Sequence, residues 1–320
     1  MKRLAITGSS GYLGTKFVEY LRRRRSDVEI LGLDVRAPAP DAARPHRFAE
    51  IDILGPGLGE ALRDFRPDTV VHAAFVLAPM RDRRKMRRIN VEGSSALLKA
   101  AATCAAERVM LVSSATAYGA WPDNPVPIEE SWRLRPAKFQ YAADKVAIEG
   151  LAEEFATRHP AIAVTRVRPA IIGGASMDNY LYRLIFGVST LVLIDGYDTP
   201  LQFVHEEDVA AAMLAILAAD ARGAFNIGPP DWSPISEIAA DTRRSTVRLP
   251  FWLVRMVQGL GWAARLPGYE FPAEFLDFAR YPWAVAPRRL QQELGYAFRY
   301  TSRETLREII RSREFRVKHA

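Results

Sequence analysis

At 320 residues, with 49% hydrophobic and 25% charged side chains, the chain has the composition of a folded globular protein and too little polarity for extended disorder. Its length allows one large α/β domain, or such a domain with a smaller lobe attached. The formal net charge is +7, yet no aromatic interleaving or nucleic-acid motif accompanies it, which argues against a nucleic-acid partner. The single cysteine, Cys104, excludes an internal disulfide and suits a reducing, cytoplasmic setting; its small-residue surroundings, LLKAAATCAAE, predict a buried helical position. The start, MKRLAITG, lacks a secretory apolar core. The greasiest later segment, PFWLVRMVQGLGWAARLPG, is broken by Arg255 and Arg265, so neither piece reaches the ~20 residues that span a bilayer.

In chain order, β-like runs alternate with helix-like ones: RLAIT, YLGTKFVEYL, VEILGLD, GEALRDF, DTVVHAA, IN through AAATC, and RVMLVSS. This alternation predicts a parallel sheet wound by helices on both faces. Between the first strand and helix lies TGSSGYLG, with Gly8, Gly11 and Gly14 at three-residue intervals. Such glycines allow a tight turn and bring a pyrophosphate against backbone N–H groups at a helix N-terminus, where the dipole favours anions. Asp34 closes the second strand 20 residues beyond Gly14, where a carboxylate accepts from adenosine ribose hydroxyls and repels a 2′-phosphate. NAD is therefore expected over NADP, although Arg36 could accommodate that phosphate. The run RRRR at 22–25 solvates a helix end and complements its dipole. The second basic run, RDRRKMRR at 81–88, could face an acidic substrate or a phosphate.

Further along, FQYAADK places Tyr141 and Lys145 one helical turn apart on the same face. The strand-like AIAVTRVRP ends the regular alternation. A smaller lobe is predicted from Pro169, while LQFVHEEDVAAAMLAILAA reads as a short strand and a helix returning to the main sheet. The expected division is 1–168 with 201–227 for the main domain, and 169–200 with 228–320 for the lobe. At the end, Thr301 and Glu304 form a capping-box pattern that opens a surface helix. His72 and His205 read as hydrogen-bonded structural histidines, since no metal-ligand spacing surrounds them.

Taken together, TGSSGYLG, Asp34, the pair Asp52-Ile53, His72-Ala73-Ala74, Asn90-Val91-x-Gly93, SSATAYG, YAADK and FVHEEDVA resemble, in that order, the extended short-chain dehydrogenase/reductases. That family includes nucleotide-sugar epimerases, sugar dehydratases and 3β-hydroxysteroid-dehydrogenase-like enzymes. The resemblance implies a Rossmann-type doubly wound parallel sheet with a smaller C-terminal substrate lobe. It implies that Ser114 orients the substrate oxygen, that Tyr141 moves the proton, and that Lys145 lowers the tyrosine pKa and holds the nicotinamide ribose. The cofactor set it implies comprises Gly8, Ser10, Gly11, Tyr12, Leu13 and Gly14 in the turn, then Asp34 and Arg36. Asp52 and Ile53 flank the adenine, Ala73 and Ala74 line the cofactor path, and Asn90, Ser113, Tyr141, Lys145 and Pro169 complete the set. A small-molecule substrate and a homodimer are the expected partners.

The sequence departs from the nucleotide-sugar epimerases where they hold diphosphate. Leu201-Gln202 precedes FVH where those enzymes carry Arg-Asp, PAIIGG replaces an asparagine-bearing segment, and Arg280 lacks the expected Arg-x-x-Asp context. A diphosphate buried without arginine partners would be costly. The lobe instead offers Phe251, Trp252, Trp262 and Phe271. The expectation is an oxidoreductase acting on a carbonyl or secondary alcohol of a fairly apolar substrate. One alternative is an epimerase or dehydratase whose phosphate contacts come from other arginines, the run at 81–88 among them. The other is a nonenzymatic NAD(P)-sensing regulator, which the presence of Ser114, Tyr141 and Lys145 disfavours.

Overall fold

The computed structural model describes residues 1–104, 106–186, 190–242 and 244–319. The strands are β1 Arg3–Thr7, β2 Glu29–Asp34, β3 Arg47–Glu50, β4 Thr69–His72, β5 Arg108–Val112, β6 Ala163–Pro169, β7 Ile171–Gly173, β8 Thr190–Ile194, β9 Pro200–Leu201, β10 Phe203–His205, β11 Gly223–Ile227, β12 Ser233–Pro234 and β13 Ser245–Leu249. The helices are α1 Tyr12–Arg24, α2 Gly57–Phe65, α3 Arg83–Arg87, α4 Gly93–Thr103, α5 Gln140–Arg158, α6 Tyr180–Phe186, α7 Glu206–Ala218, α8 Ile235–Asp241, α9 Phe251–Ala263, α10 Arg288–Leu294 and α11 Ser302–His319.

Seven parallel strands form the main sheet in the order β11-β6-β5-β4-β1-β2-β3. This is a Rossmann-type doubly wound α/β fold, and its order reverses between β1 and β4, where such sheets bind ligands beyond the strand ends. A fully buried strand such as TVVH, and RLAIT beyond Arg3, need apolar cover on both faces. One face packs on Phe17, Val18, Leu21 and Val209 of α1 and α7, the other on Leu58, Leu62, Leu97 and Phe155 of α2, α4 and α5. The helix α7 leads into β11, which pairs with β6 at the sheet edge, while the short strand β10 pairs with β7. A parallel pair, β8 with β13, belongs to the segments that follow Pro169.

Several details differ from the sequence reading. The edge strand β3, RFAE, is only half-buried and lacks the apolar run that signals a strand. The helix expected from Ile89 opens as a π-helical turn, Arg88–Glu92, before α4. Cys104 is the C-cap of α4 and half-buried. The capping box forms, with the Glu304 carboxylate accepting from Thr301 N–H and the Glu304 N–H donating to Thr301 Oγ1. That helix buries one face, including Leu306 and Ile309.

The sheet edge formed by β6 and β11 is tied to α5 and to the segment after β5 by a buried polar network. Arg168, 3% exposed, donates bidentately to Glu149 at 2.8 and 2.9 Å, and also to the Tyr118 hydroxyl at 2.7 Å. Tyr118 donates to Asn226 on β11, whose amide reaches the carbonyls of Ile128 and Ala286. Burial opposes ionisation of Glu149, but the hydrogen bonds and charge of Arg168 outweigh it and hold the carboxyl below its ordinary range. Removing one partner leaves a buried charge unpaired. Glu149→Ala should therefore lower stability by about 3–5 kcal/mol in urea denaturation, and a loss under about 1 kcal/mol would show that water reaches Arg168.

Candidate active site

The turn after β1 is built around close approaches that exclude a Cβ. Gly8 has φ +73°, and a Cβ there would lie 2.5 Å from Ala74 N, while a Cβ on Gly14 would collide with the Gly8 carbonyl. Gly11 serves as N-cap of α1 without a side-chain cap. The first-turn amides thus face the cleft at the positive end of the helix dipole. The Ser10 Oγ is buried without a hydrogen-bond partner, and Asp34 accepts from Ser10 N at 3.0 Å and from Arg36 N at 3.2 Å. An anion-accepting helix start beside a carboxylate fits a dinucleotide with free ribose hydroxyls.

Tyr12 fixes this turn from the outside. Its phenol donates to Glu206 at the start of α7, which also accepts from Ser176 Oγ at 2.7 Å and pairs with Lys16 at 3.0 Å. Burial, reinforced by the Glu206 charge, raises the Tyr12 phenol well above its ordinary value. Glu206 was visible in the sequence only as part of EED, and its contact with Tyr12, 194 residues away, depends on the fold.

Across the cleft stand Ser114, just beyond β5, and Tyr141 and Lys145, in the first two turns of α5. All three line one cavity of about 440 Å³, together with Gly8, Gly11, Tyr12, Leu13, Gly14, Ala73, Ser113 and Pro169. Lys145 is 1% exposed. Its Nζ donates to the Val112 carbonyl at 2.7 Å and sits 3.4 Å from the centroid of the Phe75 ring. Burial pushes the ammonium down to about 7, against the opposing charges of Glu149 and Asp144. Burial likewise pushes the Tyr141 phenol up to about 12, although a hydrogen bond with Ser114 pulls the other way. In this geometry burial outweighs every influence that would lower the phenol pKa. Desolvation dominates both groups.

Phe75 was not anticipated. It packs edge-on against Tyr141, with centroids 5.4 Å apart, and covers the Lys145 ammonium. Its signal was an aromatic residue directly after Ala73-Ala74.

Other expected residues sit elsewhere. Asn90 is fully buried, its carbonyl accepting from Val76 N and its amide donating to Asp144, so it braces α5. Ile53 packs on Gly93, and Asp52 accepts from Leu54 N. Arg36 is exposed. His72 bonds Thr7 at 2.7 Å and Ser94 at 2.8 Å, and burial with the Lys145 charge pushes it down to about 3, so it stays neutral. His205 contacts Glu308 and stacks on Tyr300. Among the described residues, no group of three or more His, Cys, Asp or Glu side chains could hold a metal.

The sequence profile of the NAD dependent epimerase/dehydratase family matches residues 4–228. The chain belongs to that family of NAD-dependent enzymes, and NAD is its cofactor. An uncharacterised protein of Mycobacterium tuberculosis is 30% identical over 98% of this chain and 84% of its own length. The UDP-glucose 4-epimerase of Mycolicibacterium smegmatis is 26% identical over 71% of this chain and 77% of its own. A 3-diazoavenalumate denitrifying reductase of a Streptomyces species is 27% identical over 73% and 78%. In fold, the chain resembles dTDP-glucose 4,6-dehydratase of Streptomyces venezuelae, solved with NAD bound, at a TM-score of 0.77 and 22% identity over 99% of this chain and 98% of that one.

Two outcomes follow from the site. NAD(H) should bind more tightly than NADP(H), and Asp34→Ala should narrow the gap in calorimetric titration; a wild-type preference for NADP(H) would assign control to Arg36. The second concerns Lys145, which titrates near 10.4 when unfolded and at about 7 when folded. Between these values the unfolded chain holds the extra proton, so this group makes stability rise with pH. Lys145→Met should therefore raise the melting temperature of the cofactor-free protein most at about pH 6 and progressively less towards about pH 10. A pH-independent change would contradict desolvation of the ammonium.

Proposed function

We propose that the protein is an NAD-dependent oxidoreductase that transfers hydride to or from a carbonyl or secondary alcohol of a fairly apolar substrate, with Ser114, Tyr141 and Lys145 at the reacting oxygen. The observation that carries this reading is the wall of the cavity. Beyond Tyr141 it is lined by Leu181, Leu184 and Ile185 of α6, Leu191 and Leu193 of β8, and Val254, Phe275, Phe278 and Trp283. Among the described lining residues, Lys145 alone is charged. A nucleoside diphosphate would need cationic partners in this lobe. Gln202 stands where the epimerase pattern has a polar charged pair, and its amide is committed to the carbonyls of Pro229 and Val285. Arg280 is held among the rings of Tyr197, Phe251 and Tyr281. The run at 81–88 contributes nothing to the cavity wall.

Bound NAD supplies the hydride acceptor, and its reduced form the donor. The chain supplies the proton and the geometry. Ser114 Oγ holds the substrate oxygen next to Tyr141. The Tyr141 phenol, protonated at neutral pH because its pKa is pushed up to about 12, donates to the carbonyl oxygen in the reductive direction. Lys145 holds the Val112 carbonyl and supports the nicotinamide side of the cleft.

The likeness to UDP-glucose 4-epimerases favours a second reading, in which the hydride returns to the same substrate. The two differ in net absorbance at the nicotinamide band: the oxidoreductase changes it with apolar ketones or alcohols, while an epimerase interconverts UDP-sugars and leaves it constant. Once a substrate is found, Tyr141→Phe should lower turnover by roughly 10²–10⁴-fold while keeping cofactor affinity. Ser114→Ala should slow the reaction with little change in NADH binding. Near-normal turnover by Tyr141→Phe would remove the phenol from the mechanism.

A further inference from the structure

The helix α9, FWLVRMVQGLGWA, is apolar around most of its circumference, a composition that ordinarily belongs to a buried helix. Here only one side is covered. Val254 and Gln258, one turn apart, line the substrate cavity, and Gly261 packs against Tyr269. On the opposite side Trp252, Met256 and Leu260, spaced four residues apart, are 65%, 47% and 64% exposed, with Val257 beside them and Leu266 exposed just past the helix. The strand that feeds the helix extends the patch, since Val247 on β13 pairs with Val192 on β8 and both are exposed. A contiguous stripe of large apolar side chains, one of them a tryptophan, marks an interaction surface on a soluble domain.

The charges next to this stripe indicate what it meets. Arg81 stacks on Trp262 with 4.0 Å to the ring centroid and donates to the Trp262 carbonyl, so the basic run begins against the C-terminal end of α9. From there Arg84 and Lys85 are exposed. Arg265 and Arg248 flank the helix at its two ends and are exposed as well. Three carboxylates in the neighbourhood have cations beside them: Glu270 is paired with Arg183, Asp277 lies 3.9 Å from Arg255, and Glu92 lies 3.9 Å from Arg88. Opposing charges are Glu274, in the segment packed against α9, Asp82 at the start of α3, and Asp195, whose N–H bonds the Leu249 carbonyl just before the helix. The surface is thus an apolar helical face with a net basic border.

We propose that this face docks on an anionic lipid bilayer, with α9 lying in the interface plane. Thirteen residues are too few to span, and no helix among the described residues is long and apolar enough to cross a membrane. An interfacial helix needs an apolar face to enter the acyl boundary and cations for the headgroups, and both are present here. A second copy of the chain fits less well, because a two-fold contact through α9 would set the same cations against one another. Docked in this way, α9 would be the single layer between lipid and the substrate cavity, so an apolar substrate could reach its pocket from the bilayer. The docking itself stands independently of which substrate is used.

The test is co-sedimentation of the full chain, loaded with NAD, with phosphatidylcholine vesicles and with vesicles that also contain phosphatidylglycerol. Wild type should pellet with the anionic vesicles at low salt and be released as salt rises. Trp252→Glu combined with Leu260→Glu should reduce the partition coefficient by about tenfold or more, with the melting temperature and NAD affinity unchanged, because neither side chain lines the cavity. Arg84→Glu with Lys85→Glu should weaken binding and flatten its salt dependence. The proposal is overturned if wild type stays in the supernatant with anionic vesicles. It is also overturned if the Trp252/Leu260 variant pellets as well as wild type, or if ultracentrifugation shows that this variant abolishes a self-association of the wild type that vesicles do not disturb.

Discussion

The ammonium of Lys145 is buried with one carbonyl and one aromatic face as its immediate company. The nearest carboxylates, on Glu149 and Asp144, are already engaged: the first by Arg168, the second by Asn90, Gln140 and Arg87. A cation in that setting is held at the edge of neutrality, and its environment determines much of what surrounds it. His72 is kept neutral partly by the same charge. The phenol of Tyr141, sharing the dry cleft, keeps its proton.

That division of the cleft follows from which elements supply each wall. The glycine turn, the start of α1 and Asp34 present amides, a dipole and one carboxylate, and these are the requirements of a dinucleotide. The opposite wall comes from segments after Pro169, which contribute leucine, isoleucine and phenylalanine in place of arginine. The two walls meet at Ser114 and Tyr141. The polar groups of the lobe are used up in holding it together, as Gln202 and Arg280 illustrate, so the cavity itself remains apolar. Binding there would be driven by burial of apolar surface, with orientation left to the two hydroxyls.

How much of this was legible in the sequence depends on how local the cause was. The glycine turn reads directly because the requirement, space for no Cβ, is imposed by residues within a few positions or by the next strand. Tyr141 and Lys145 read directly because helical spacing sets their common face. The alternation of runs predicted the parallel sheet. What escaped depends on partners distant in the chain. The upward displacement of Tyr141 comes from burial to which Phe75 and Phe139 contribute. Asn90 is taken by Val76 and Asp144, 14 and 54 residues away, which no motif could reveal. The strand β3 escaped because its edge position needs no apolar run, and the basic run at 81–88 proved to be a solvated surface against Trp262 rather than part of the cavity wall.

Under the proposed function, the substrate wall recognises apolar surface and not a nucleoside diphosphate. Isothermal titration of the NAD-loaded protein, first with UDP and then with a polycyclic secondary alcohol, tests it most directly. The expected result is no saturable heat with UDP, and saturable binding of the alcohol with a negative heat-capacity change, the mark of apolar burial. Saturable binding of UDP that displaces the alcohol, or that the alcohol cannot displace, would contradict it and return the site to the nucleotide-sugar branch of the family.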